Sequence, residues 1–474
     1  MSFTYVIAWL TPLLLGSGIV ALLTGRPRTF AEYAATLGCG FVLGMLLCGL
    51  AMAPLGRLEV DRIVPMVAAI LIPVGLGAWA WVLLRAAPNV ATPPQRTHLH
   101  PLLWALLALL ALHAWLMFDE ILLRPMYPWD AWAAWLLKPK AWMLGGHVDR
   151  FVGFDEWLAD ASGKLRTAQT WSYPETLGRV AIWFSSAWGE WNAGVVGAIW
   201  FALWLALLAG CYGQLRTLRL QRDRALVATY ALGSLPLINV HVALAGYADL
   251  WIATLLAFAC LAWMRALETG ERGHAALAVL FALMLPLVKL EGSIWLVILG
   301  GAMIYARMPP RFRRIALALA PLVGGGVVVA YLLRFPLVAP ALDRIGLTAD
   351  TEVLMTHAPA VIGAAAEGLF AQYNWHLFWF AVALTLALRF GELRASPALR
   401  VLGLFLLLGC GFLFALFVLT PAGKWAESYT AVNRLSLQIV PAMLAFAALL
   451  WREPSVAVVA TPAPRMAEAA PTGP

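Results

Sequence analysis

The sequence predicts an all-α, polytopic membrane protein of about thirteen transmembrane helices, with one large outer loop that contains interfacial helices. Three observations predict it. The 474 residues are 62% hydrophobic and only 12% charged, and their mean hydropathy is +0.81, a balance too apolar to cover a soluble domain of that length. Apolar runs of about twenty residues, enough to cross about 30 Å of hydrocarbon, recur from end to end. Arginines gather in alternate connections between those runs.

In chain order the expected spans are 3–23, 34–53, 64–84, 100–118, 193–213, 225–241, 249–265, 275–288, 292–306, 315–333, 375–389, 399–419 and 435–451. The first lacks a basic segment before it and matches the others in length, so it reads as a retained helix rather than a signal peptide. Residues 1–98 form an N-terminal group of helices, 99–451 the main membrane domain, and 452–474, rich in Ala, Pro and Thr, a disordered cytoplasmic tail. The stretch 275–306 is interrupted by Pro286, Lys289, Glu291 and Gly292, and is expected as a helical hairpin whose turn is Lys289-Leu290-Glu291-Gly292.

Arg26 and Arg28, Arg85 and Arg96, Arg216 to Arg224, Arg265 and Arg272, Arg307 to Arg314, and Arg389 to Arg400 mark the cytoplasmic connections. The 119–176, 334–374 and 420–434 connections then share the opposite face. The formal charge of +8 is spread over these short clusters, which report topology and not nucleic-acid binding. The five cysteines all sit in apolar runs and read as packing residues.

Chemistry is sought in the 119–176 loop, where Trp129-Asp130-Ala131-Trp132 and Lys138-Pro139-Lys140 crowd a carboxylate, cations and indoles against the bilayer. Asp130 is the candidate general base, since a carboxylate between indoles beside hydrocarbon is poorly solvated. Its other reading is an N-cap of a short interfacial helix reaching Leu137. Lys138 and Lys140, with Arg124, suit a lipid-linked phosphate at the membrane surface, although lysines at helix ends also snorkel without a ligand.

Trp171-Ser172-Tyr173-Pro174-Glu175 leads into an aromatic segment with Trp183, Trp188 and Trp191, which could form one wall of a carbohydrate site or an ordinary aromatic belt. Gly246-Tyr247-Ala248-Asp249 opens a span with a carboxylate that capping alone would explain. Lys289 and Glu291 place opposite charges in an apolar stretch and read as lining a polar cavity. Arg434 opens the last span with a guanidinium fork for phosphate or carboxylate; its plain alternative is pairing with Glu427 or a headgroup. The chain has no glycine-rich phosphate loop, no nucleophile elbow and no metal-ligand spacing. No cofactor follows from it beyond a loosely held divalent metal on Asp130 with Asp119 or Glu120.

Taken in order, Trp129-Asp130-Ala131-Trp132 to Lys138-Pro139-Lys140, Tyr173-Pro174, Gly246-Tyr247-Ala248-Asp249, Lys289-Leu290-Glu291-Gly292 and Arg434-Leu435-Ser436-Leu437-Gln438 resemble the motif string of bacterial integral-membrane GT-C class glycosyltransferases. Relatives of that class include the dolichyl-phosphate-mannose:protein mannosyltransferases and the lipid A aminoarabinose transferases. The resemblance covers residues 119 to 450 or so and implies a polyprenyl-phosphate sugar donor. It also implies a lipid, glycan or protein acceptor, a reaction on the periplasmic side of a bacterial inner membrane, and an acidic base in the outer loop. Asp130 matches that acidic residue, while Lys138, Lys140 and Arg434 match positions facing the donor phosphate; Tyr173, Tyr247, Asp249, Lys289 and Glu291 fall in the remaining substrate-binding motifs.

The sequence departs from the class in three places. About three spans precede the acidic loop, Leu290 stands where relatives have a polar residue, and Asn433 where they have an acidic one. The adjacent pair Asp119-Glu120 rivals Asp130 as base. Two other functions fit the composition: a transporter that uses Lys289 and Glu291 in an ion pathway, and an O-antigen ligase or polymerase that would rely on Arg334 and Arg344.

Overall fold

The computed structural model describes residues 3–55, 59–85, 98–126, 128–333, 335–336 and 351–453. Arg96, Tyr127, Arg334, Arg344 and the tail beyond Glu453 lie outside the described residues. Helices dominate. They run in chain order as α1 (Phe3–Thr24), α2 (Phe30–Ala51), α3 (Val60–Arg85), α4 (Pro101–Leu123), α5 (Leu137–Gly145), α6 (Phe154–Leu158), α7 (Thr176–Trp188), α8 (Ala193–Thr217), α9 (Arg222–Gly233) and α10 (Pro236–Ala243). The second half holds α11 (Asp249–Thr269), α12 (Arg272–Val288), α13 (Gly292–Arg307), α14 (Pro310–Leu332), α15 (Thr351–Ala366), α16 (Phe378–Ala395), α17 (Pro397–Leu419), α18 (Gly423–Glu427), α19 (Val432–Leu437) and α20 (Val440–Leu449). The described strands are two-residue pieces, Phe151–Val152 and Arg166–Thr167, paired in parallel inside the 119–176 loop.

Local chemistry sets the boundaries. Thr29 and Glu32 form a reciprocal capping box that starts α2. Asn192 caps α8 through the Val195 amide, and Ser396 with Pro397 opens α17.

Every expected span carries helix, but length separates them. Among the described residues seven helices are long and apolar enough to cross a membrane: α1, α2, α3, α4, α8, α11 and α17. The expected span 225–241 is broken instead: Pro236 removes a backbone donor, and α9 meets α10 at a 58° bend. The expected hairpin is present, with α12 ending at Val288 and α13 starting at Gly292, although both are shorter than a full span. The connection expected at 334–374 contains a helix of its own, α15.

One continuous apolar core joins the N-terminal helices to the rest, from Tyr5 through Val196 and Leu255 to Leu450. α1 and α2 touch backbone to backbone, since a Cβ on Gly16 would stand 1.8 Å from the Gly40 carbonyl oxygen. α11 is buried on all sides over most of its length, as an apolar helix without a polar face must be. Its first residue, Asp249, is wholly buried.

The loop folds against this body. α7 is a core helix, not an interfacial wall: Trp183 is 1% exposed and its indole nitrogen donates to the Ala8 carbonyl at 2.9 Å. A buried indole cannot stack on a sugar, so Trp183 leaves the list of carbohydrate contacts; Trp188, at the end of α7, is exposed.

Candidate functional site

Five charged side chains from four parts of the chain meet at the seam between the loop and the membrane helices. Asp130 introduces a single π-turn, Ala131–Trp135, and makes no capping hydrogen bond to it. Its Oδ2 instead accepts from Arg434 Nη2 at 2.6 Å. The same nitrogen donates to Asp249 Oδ2 at 3.1 Å. Asp249 Oδ1 accepts from Lys289 Nζ at 2.9 Å and from Gln438 Nε2 at 2.6 Å. Lys289 closes the chain with Glu291 Oε1 at 3.3 Å.

The arrangement answers a simple electrostatic demand. A carboxylate with no exposure, as Asp249 has, loses its hydration and is tolerated only if ion pairs and hydrogen bonds replace it. Two cations and an amide do so, and the amide is itself fixed, because Trp295 Nε1 donates to Gln438 Oε1 at 2.5 Å. Capping therefore fails as the account of Asp249: its oxygens are committed to side chains. Pairing with Glu427 fails likewise for Arg434, since Glu427 Oε1 meets His357 Nδ1 at 2.7 Å.

Burial divides the cluster into a sealed floor and an open rim. Asp249 and Lys289 side chains are 0% and 6% exposed, whereas Asp130, Glu291 and Arg434 reach 33%, 34% and 28%. The rim is where a ligand can arrive.

Aromatic rings orient the arginine. Its Cζ lies 4.6 Å from the centre of the Tyr247 ring. Trp200 Nε1 holds the Tyr247 carbonyl at 2.8 Å. Gly246 makes the turn before it at φ +114°, and a Cβ there would fall 2.3 Å from Ala131 Cβ. Only glycine allows both the backbone angle and the close approach of this turn to the residue after Asp130. Tyr173 packs on Trp135 with ring centres 5.2 Å apart. Burial raises its phenol pKa, and the Glu291 carboxylate adds to the effect.

Lys138 takes a different place from the phosphate-facing one expected. Lys138 is 4% exposed; its ammonium donates to the Trp171 carbonyl at 2.7 Å and the Tyr173 carbonyl at 3.3 Å, with Glu175 Oε1 at 3.8 Å. It pins the end of the loop. Burial lowers its pKa, against the pull of Glu175. Lys140 is exposed and forms no ion pair among the described residues.

The rival acids stand apart: Asp119 is exposed on α4 and Glu120 pairs with Arg124 at 2.8 Å. Among the described residues no group of three His, Cys, Asp or Glu side chains is placed to hold a metal.

Two further residues belong to the site, Gln438 and the Trp295 indole that holds it; next to Arg434 in the chain, Asn433 Oδ1 accepts from Trp375 Nε1 at 2.8 Å. Gln438 had a signal in the sequence, being an amide inside an apolar span one helical turn after Arg434. No family model, curated protein or solved structure matches this chain.

Proposed function

We propose that the protein is a membrane glycosyltransferase that moves a sugar from a polyprenyl-phosphate carrier to a lipid, glycan or protein acceptor. The reading includes the thirteen-span topology, with the 119–176 loop and the charge cluster on the periplasmic side of a bacterial inner membrane. The observation that carries it is the sharing of one guanidinium nitrogen between a loop carboxylate, Asp130, and a buried membrane carboxylate, Asp249.

That geometry suits inverting displacement. Asp130 takes the proton from the acceptor hydroxyl, the hydroxyl oxygen attacks the anomeric carbon, and the carbon–oxygen bond to the phosphate breaks. The electron pair leaves on the phosphate oxygen. Arg434 stabilises that developing charge, held in position by Asp249, Gln438 and the Tyr247 ring. In the resting site Arg434 occupies Asp130; a donor phosphate competes for the guanidinium and frees the carboxylate to act as base. Because phosphate departure drives the reaction, no nucleotide is required at the site.

The test compares membranes carrying wild type with membranes carrying Asp130→Asn at matched abundance, following loss of lipid-linked sugar and gain of product. Loss of transfer in a folded variant supports the reading. Undiminished transfer removes Asp130 as base and turns attention to Asp119 and Glu120.

The buried Asp249–Lys289 pair favours one second reading, an ion-coupled transporter. Solute uptake that survives Asp130→Asn but is abolished by Lys289→Met would select it.

A further inference from the structure

A helix broken inside a membrane domain leaves backbone groups that water does not reach, so the break at Pro236 has to be repaired by the protein itself. Asn239 does part of this: its Nδ2 donates to the Gly233 carbonyl at 3.1 Å and to the Leu235 carbonyl at 2.7 Å. The Leu237 amide donates across to the Asn374 carbonyl at 3.1 Å. The short helix α10 is thereby held at 58° to α9, and it packs against α19, the helix that carries Arg434.

The bend sets one more side chain beside the charge cluster. His241, in the last turn of α10, is 2% exposed. Its Nδ1 lies 2.8 Å from the Leu237 carbonyl oxygen, so that nitrogen carries the proton and donates. Nε2 is buried with no hydrogen-bond partner, which leaves a neutral ring oriented by one bond. The imidazole centre lies 5.1 Å from the centre of the Tyr247 ring, with 48° between the planes. The same Tyr247 ring carries the Arg434 guanidinium, whose Cζ is 4.6 Å from its centre. Asp249, Arg434 and Lys289 all act on the imidazole electrostatically, so His241 belongs to the surroundings of the cluster and not to a remote part of the core.

We propose that His241 is a positioning residue: it holds the Tyr247 ring, and through that ring sets where the Arg434 guanidinium lies. The inference rests on the glycosyltransferase reading above for what Arg434 binds, a phosphate, and adds what keeps the guanidinium in place before the phosphate arrives. Asp130 and Asp249 draw the guanidinium along its edge, through Nη2. A contact on its face resists tilting, and Tyr247 supplies that contact. The bond from Trp200 fixes the Tyr247 backbone and not its ring; the imidazole packs on the ring itself. The broken span thus has a use, since the bend at Pro236 is what turns α10, and His241 with it, toward Tyr247 and α19.

The experiment measures binding of undecaprenyl phosphate to the purified full chain in nanodiscs, beside thermal unfolding of the same preparations. His241→Asn keeps a donor near the place of Nδ1 and removes the ring, whereas His241→Phe keeps a ring and removes the donor. His241→Asn should weaken binding about tenfold, and His241→Phe should stay within about threefold of wild type. If His241→Asn does not fold, His241→Leu, which fills the space without a flat ring, takes its place. The unfolding midpoints decide the route to Arg434 without a ligand: His241→Asn and Arg434→Gln together should lower the midpoint by less than the sum of their separate effects. A histidine that merely fills the core gives additive shifts, and additivity overturns the inference. Binding by His241→Asn as tight as wild type, or by His241→Phe as weak as His241→Asn, overturns it too and leaves the donor reading standing. A wild-type chain that binds no undecaprenyl phosphate removes the donor reading, and the midpoints alone then keep or overturn the role of His241 in holding Arg434.

Discussion

Arg434 Nη2 stands 2.6 Å from Asp130 Oδ2 although 304 residues separate them in the chain. The contact ties the aromatic loop to the last helices and places the candidate base against the candidate phosphate-binding group. While Arg434 donates to Asp130 Oδ2, that oxygen is engaged and does not face an incoming hydroxyl. On the function proposed above, an anion that competed for Arg434 would release this oxygen.

Asp130→Asn should lower transfer by about 10² to 10⁴-fold, the range for losing a general base, while leaving the fold intact. The asparagine can still accept from Arg434, and the side chain is one-third exposed, so thermal unfolding in detergent should match wild type. An unfolding midpoint that drops with activity would assign Asp130 a structural task.

Asp249→Asn should be costly in a different way. It leaves Lys289 buried with only the partly exposed Glu291 for a partner, and breaking such a buried pair costs about 3 to 5 kcal/mol. The double variant Asp249→Asn, Lys289→Met should recover a large part of that loss. Calorimetry on the single and double variants checks it; equal destabilisation in both would show that the pair is not what the fold depends on.

Arg434→Lys keeps the charge but should not keep the function. One ammonium cannot reproduce the flat contact with Tyr247 together with bonds to two carboxylates. We expect KM for the lipid-linked donor to rise and kcat to fall, read from initial rates in membranes. Full activity would mean that charge alone suffices.

Gly246→Ala should disturb the site from outside it. The backbone sits at φ +114°, and the added Cβ would overlap Ala131, costing about 1 to 3 kcal/mol and pushing the Asp130 turn away. Reduced transfer with a lowered unfolding midpoint is the expected pattern; a neutral result would show that the turn has room to shift.

Tyr173 gives the pH prediction. Its phenol pKa is raised above the ordinary 10.0 in the folded state, so folding favours the protonated ring. The stability this adds is complete below pH 10.0 and is lost as pH rises from there through the folded value. Titration of phenolate absorbance, with Tyr173→Phe as the difference control, should show one tyrosine ionising late.

Much of this was legible in the sequence, for physical reasons. Spans such as Ala193–Thr217 announce themselves because hydrocarbon demands long apolar runs. The hairpin at Lys289 was legible because two opposite charges cannot sit comfortably in one apolar helix. Partnership was harder to read. Asp249 in sequence is an ordinary helix-opening aspartate, and only the fold brings Arg434 and Gln438 to it across 185 and 189 residues. Lys138 misled for the opposite reason: a lysine beside a tryptophan-rich turn suggests a ligand, while the loop folds back and uses it for its own carbonyls. The bend at Pro236 and the burial of Trp183 depend on neighbours that no local window contains.

The order of residues along the chain gives the buried carboxylate a consequence for biosynthesis. Asp249 leaves the ribosome before Lys289, and both leave before Arg434 and Gln438, which lie in the last helices. At about 5 to 20 residues per second, the roughly 190 residues between Asp249 and Gln438 take on the order of ten seconds or more to appear. Lys289 follows Asp249 by 40 residues, but until Arg434 and Gln438 appear the carboxylate lacks two of its three side-chain partners and must stay partly hydrated or be shielded by the insertion machinery. A nascent chain stopped before Val432 should therefore be held open and prone to quality-control proteolysis, and release of the final two helices is the event that locks the membrane domain.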